Sequence, residues 1–207
     1  MSKLLKRIFA RVDISSIVNS HYATLYDNNK LQNEGITTIP RSDWVVFWLV
    51  PILISLVLTF FLGVRFNKDS INLLITSLSI LIGLLLSLLV LLFDLGKKEK
   101  ENLVDTSAND KIKYKFQSDK VGLVKEVFSN VLFSVLLSIF TIVFCLLTQI
   151  SRIDFIYELL PSLIYECMKW LFLIIIHFIS FFLLVQFILT LLMILKRFKI
   201  LFDLEFK

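Results

Sequence analysis

Four uninterrupted apolar runs dominate this chain, at residues 44–64, 71–93, 127–150 and 170–195, and none contains Asp, Glu, Lys or Arg. About 20 apolar residues in a helix cross a hydrocarbon core roughly 30 Å thick, so each run is long enough to span a bilayer. Inside lipid the backbone has no water to bond, and a helix satisfies its own amides within one segment. The expected fold class is therefore all-α: a polytopic membrane protein with four transmembrane helices. Composition agrees. Of 207 residues, 57% are hydrophobic, with a mean hydropathy of +0.82, against about 45–50% apolar residues in soluble domains. The 2 Cys are too few for a disulfide framework.

Orientation follows from the cations outside the spans. The arm before Trp44 carries 6 Lys and Arg, the segment 94–126 carries 8 and the tail after Leu195 carries 4, whereas 65–70 and 151–169 carry 2 each. Positive charge collects on the cytoplasmic side, which sets both termini and the middle loop inside (N-in/C-in). The organisation is thus an N-terminal arm (1–43), a first hairpin (44–93), a cytoplasmic loop (94–126), a second hairpin (127–195) with an outer interfacial helix (151–169), and a tail (196–207).

The arm begins MSKLLKRIFARVD, basic but without the apolar run of a secretory signal. Leu5, Ile8, Phe9 and Val12 fall on one helical face, suiting a short amphipathic helix on the inner leaflet or against protein. Ser42 or Asp43 is expected to cap the first span, and Pro51 to kink it. In the middle loop, DLGKKEKE continues the second helix past Gly96, with a turn at 107–110. KIKYKF then alternates Lys111, Lys113 and Lys115 with Ile112, Tyr114 and Phe116. Strict alternation argues for a half-buried strand, pairing with ITTI at 36–39 as a small cytoplasmic β element or offered to a partner's sheet edge. Ser118 or Asp119 would cap the next helix. The outer loop places Asp154, Glu158, Ser162 and Glu166 at four-residue steps among apolar residues, which suits an interfacial helix bent near Pro161.

No zinc, phosphate or nucleophile motif appears among 2 His, 2 Cys and 5 Gly, so no catalytic residue, cofactor site or metal site is assigned. His21 lies in a polar context and reads as exposed. His177 lies inside the fourth span, where an ionisable group faces protein or water; a neutral imidazole bonded to a neighbouring helix is expected, with proton sensing as the alternative. Small and weakly polar residues form two stripes: Asn72, Thr76, Ser79, Gly83 and Ser87 in the second span, and Asn130, Ser134, Ser138, Thr141, Cys145 and Thr148 in the third. Such stripes let helices approach closely and bond across the contact, so spans two and three are expected to pack through them, or else to line a polar pathway. In the fourth span His177 and Ser180 point opposite to Gln186 and Thr190, which suggests protein on both sides and hence a homo-oligomer. With no charge inside the spans, a coupled transporter is disfavoured. The net charge of +5 suits attraction to anionic membrane lipid, and the interleaving of Lys with Glu and Asp argues against a direct nucleic-acid surface.

The span-two exit LLVLLFDLGKKEKE and the closing LTLLMILKRFKILFDLEF, on a four-span plan, resemble small bacterial membrane proteins of anti-phage defence operons, most specifically the membrane subunits of Kiwa systems. That resemblance implies a membrane oligomer that responds to phage attack at the envelope with a soluble cytoplasmic partner. The expectation built on it is a non-enzymatic defence subunit of the bacterial cytoplasmic (inner) membrane whose N-terminal arm and KIKYKF loop (Lys111 to Phe116) hold that partner. The competing expectation is a pore-forming effector that depolarises the cell, with the stripes of spans two and three lining the pore.

Overall fold

The computed structural model describes residues 13–26, 39–61, 63, 66–105, 111–149 and 162–205. Among them five helices stand in chain order and no strand occurs: α1 (Ile14–Ala23), α2 (Arg41–Phe61), α3 (Lys68–Asp105), α4 (Lys111–Leu147) and α5 (Ser162–Glu205). α2 to α5 are each long and apolar enough to cross a membrane. The all-α, four-span expectation is met.

The last three helices exceed a bilayer. They have 38, 37 and 44 residues, or about 56–66 Å at 1.5 Å per residue, against a core of about 30 Å. α3 continues about 18 Å beyond the uncharged run that ends at Phe93, and α4 starts about 24 Å before the one that opens at Val127. The stretch expected as a cytoplasmic loop is therefore largely helical.

KIKYKF is helical too, as the first turns of α4. Six alternating residues fit a strand, but a longer period overrides them. Lys120, Val124, Val127, Val131, Ser134, Ser138, Thr141 and Cys145 are buried at steps of four and three, the signature of one helical seam. A helix also satisfies its own backbone without a partner strand. Residues 36–38 of the proposed pairing segment lie outside the described residues. Ser118 and Asp119 fall inside α4 rather than capping it, and α2 starts at Arg41, ahead of Ser42 and Asp43.

α3 shows a matching seam. Ile71, Leu78, Leu85, Leu92 and Glu99 are buried at seven-residue intervals, and Leu73, Leu84 and Leu91 face outward at 62–71% exposure. Outward leucines are unremarkable where lipid is the solvent. In α2 the turns before Pro51 (Val45–Leu49) widen to π hydrogen bonding, with the Val50 N–H donating to the Val45 carbonyl. Pro51 has no N–H to give the preceding turn and its ring crowds the carbonyl four residues back, and a widened turn absorbs that defect.

The chain forms two compact units. One comprises Met1–Asp43, Ser87–Phe133 and Leu192–Lys207, and the other Trp44–Leu86 and Ser134–Leu191. The first has Leu25, Leu92, Val124, Val127, Val131 and Ile194 in its core; the second has Phe47, Leu78, Leu85, Leu137, Ile176 and Phe187. The amphipathic segment expected at residues 3–12 and the outer segment 151–161 lie outside the described residues. Residues 162–169 are the start of α5 itself rather than a separate interfacial helix.

Candidate functional site

The first unit is organised by a polar clasp. α1 begins at Asp13, whose carboxylate accepts from the Ser16 N–H at 3.1 Å and the Ser15 hydroxyl at 2.7 Å, an N-cap that holds the helix start. At the other end His21 is fully buried. Its Nδ1–H donates to Asn130 Oδ1 at 2.8 Å, because an amide oxygen only accepts. Its ring lies parallel to Phe133, centroids 3.9 Å apart. The Thr24 hydroxyl donates to the His21 carbonyl at 2.7 Å and lies 3.1 Å from Asn130 Oδ1. Arg197 Nη2 donates to the Thr24 carbonyl at 2.7 Å and sits 3.4 Å from Glu126 Oε2. One arm helix, α4 and α5 are thereby tied by side chains far apart in sequence. Burial holds the His21 pKa down to about 4, with the Asn130 hydrogen bond opposing the shift and the Arg197 charge adding to it. His21 is therefore uncharged near neutral pH.

The exposed reading of His21 is therefore corrected. A signal was present: Ile14, Ile17, His21 and Leu25 lie at steps of three and four, which puts the histidine in the apolar stripe of its helix.

A second polar pair fixes α3 against α4. Glu99 and Lys120 are both buried, 3.9 Å apart. Gln117 Nε2 donates to the Glu99 carboxylate and carbonyl, and Lys120 Nζ stands 5.7 Å over the Phe116 ring. Buried opposite charges in matching seams specify register more than they stabilise. Beside them Leu95, Phe198, Leu201 and Phe202 wall an apolar groove of about 560 Å³.

The proposed partner segment starts α4. Lys113 and Lys115 are exposed, as are Tyr114 (48%) and Phe116 (39%). The side chains of Lys111 and Ile112 lie outside the described residues.

The two stripes part company. Asn130, Ser134, Ser138, Thr141 and Cys145 are buried with no exposure, and Thr148 is partly covered. Asn72, Thr76, Ser79, Gly83 and Ser87 are all exposed, and a Cβ at Gly83 would meet nothing within 4 Å. Spans two and three therefore do not pack stripe against stripe. The hydroxyls bond along their own helices: Thr76 to the Asn72 carbonyl, Ser79 to Ile75, Ser138 to Ser134 and Thr141 to Leu137, at 2.7–2.9 Å. The heptad seam of leucines, not the small residues, selects the buried face of α3.

In the second unit His177, Ser180, Gln186 and Thr190 are all buried, at 7%, 0%, 3% and 0%. Both polar faces of α5 are covered by this chain, so they give no ground for a second subunit. His177 Nδ1–H donates to the Leu173 carbonyl at 2.7 Å on its own helix, not to a neighbouring one. Its ring stacks on Phe66, which stacks on Phe181. His177 and Thr59 line a cavity of about 340 Å³ with Phe60, Trp170, Leu173 and Ile174.

Among the described residues no group of His, Cys, Asp and Glu is arranged to hold a metal ion. No protein-family model, curated protein or solved structure matches the chain.

Proposed function

We propose that this chain is a non-enzymatic, multi-pass subunit of a bacterial anti-phage defence system in the cytoplasmic membrane, holding a soluble partner at its cytoplasmic side. The observation that carries the reading is the solvent-facing start of α4, where Lys113, Tyr114, Lys115 and Phe116 expose cations and aromatic rings together, well ahead of the uncharged stretch from Val127. Aromatic side chains on a rigid element are what a protein interface uses as anchors, and lysines around them steer an oppositely charged partner. The apolar groove walled by Leu95, Phe198, Leu201 and Phe202 adds area in the same unit. The resemblance of the two juxtamembrane stretches to Kiwa membrane subunits supplies the biological setting.

Phage plating tests this reading. With its operon neighbours present, the wild type lowers plating efficiency, and a Tyr114→Glu/Phe116→Glu variant that still reaches the membrane does not. Protection that persists in that variant, or without any soluble companion, contradicts the reading.

A second reading, a pore-forming homo-oligomer, draws on one observation: the weakly polar stripe Asn72, Thr76, Ser79 and Gly83 is on an exposed face of α3. Gly83→Leu would then abolish ion flux in liposomes, and absence of flux from the wild type would remove this alternative.

A further inference from the structure

The cavity beside His177 combines two observations that the partner-docking account does not use. The first is hydrogen bonding. A carbonyl only accepts, so the 2.7 Å contact with Leu173 puts the proton of a neutral imidazole on Nδ1 and leaves Nε2 with a bare lone pair. Nε2 is buried with no hydrogen-bond partner, and so is Thr59 Oγ1. His177 is only 7% exposed, and its ring is held by the Phe66 stack at 5.9 Å between centroids and 18° between planes. A desolvated polar atom left unpaired is costly, so a group that pairs with it here is bound with that advantage.

The second is shape and lining. The volume is about 340 Å³, within the usual range for a small-molecule site and roughly ten times a water molecule's share of liquid. Phe60, Trp170, Leu173 and Ile174 form most of the wall, which favours an apolar occupant over water. Among the described residues no charged side chain lines it. A phosphate or ammonium buried there would find no counter-charge among those residues, at high cost. The fit is to a neutral hydroxyl on an apolar body: its O–H donates to His177 Nε2, and the Thr59 hydroxyl serves it as donor or acceptor.

Position points to the source. Thr59 and Phe60 lie near the end of the first uncharged run and Trp170 opens the fourth, so the cavity lies at one membrane interface. Phe60 and Trp170 are 60% and 58% exposed, as residues of an aromatic belt facing lipid are. We propose that this cavity is a binding site for the free hydroxyl of a membrane amphiphile, of which diacylglycerol is the simplest form; a small apolar alcohol shares the chemistry.

Photolabelling tests the proposal. The full-length protein is reconstituted in phosphatidylcholine nanodiscs, a matrix without headgroup hydroxyls, with a diazirine-bearing diacylglycerol. A second probe has its hydroxyl capped as the methyl ether. The expected result is labelling of peptides around Thr59 and Trp170, at least tenfold weaker with the ether probe. His177→Phe and the near-isosteric Thr59→Val each reduce labelling at least fivefold while the protein remains monodisperse. Competition by unlabelled diacylglycerol alone assigns a lipid, and equal competition by octanol at the same mole fraction assigns a small alcohol; either result upholds a hydroxyl site. Equal labelling by both probes, labelling unchanged in the folded Thr59→Val variant, or labelling absent from these peptides overturns it.

Discussion

His21 donates to Asn130 at 2.8 Å across 109 positions of sequence, and that bond, stacked under Phe133, is what seats the arm helix on the rest of its unit. Burial in that seat keeps the imidazole neutral, against the pull of the Asn130 bond.

Acid should therefore loosen the arm. The folded pKa of His21 is about 4 against an ordinary 6.5, so between those values the unfolded chain takes up a proton that the folded one refuses. Stability is complete above pH 6.5, falls as pH drops through that window and levels off near 4, a loss of roughly 3 kcal/mol. Thermal unfolding in detergent across this range should show the slope in wild type, and a His21→Phe variant should lack this component.

Arg197 is the outer half of the clasp. Arg197→Met removes the bond to the Thr24 carbonyl and leaves Glu126 without its cation. A hydrogen bond from a charged donor contributes about 1.5–3 kcal/mol, so a loss of that order is expected. Proteolysis between α1 and α2 should accelerate with no change in membrane insertion.

The Glu99–Lys120 pair should behave as a register device. Lys120→Met alone leaves a buried carboxylate whose remaining partner is Gln117, costing about 3 kcal/mol or more. The double variant Glu99→Leu/Lys120→Met should recover most of that loss, because replacing both members of a buried pair by apolar groups is often neutral. A double-mutant cycle on chemical unfolding measures the coupling.

The two small-residue stripes predict opposite tolerances. Ser138 has no exposure, so Ser138→Leu overpacks the seam and costs about 1–3 kcal/mol. Gly83 has open space where a side chain would go, and Gly83→Leu should leave the melting temperature of the isolated chain unchanged or slightly raised, as a glycine is lost from a helix.

The spans were legible because lipid imposes a crude rule, length without charge, that a linear sequence displays. What the sequence concealed lies where that rule stops. Glu99 falls in DLGKKEKE, which reads as an extension of the second helix, but Gln117 and Lys120 look like solvated loop residues, and only the seam of four- and three-residue steps from Lys120 to Cys145 shows that Lys120 belongs to α4. KIKYKF satisfies two periods at once over six residues, and the longer run of seam positions from Lys120 onward decides between them. Serine and threonine stripes suggested a contact between helices, but in α3 leucines, which fill space, define the buried face. The His21–Asn130 bond joins segments that no local pattern connects.

Native mass spectrometry of the complex purified from its own locus tests the central claim most directly. The account predicts a stoichiometric soluble companion on the wild-type protein, lost from the Tyr114→Glu/Phe116→Glu variant while the membrane protein stays intact. A wild type that carries no companion, or a companion retained by that variant, would contradict it.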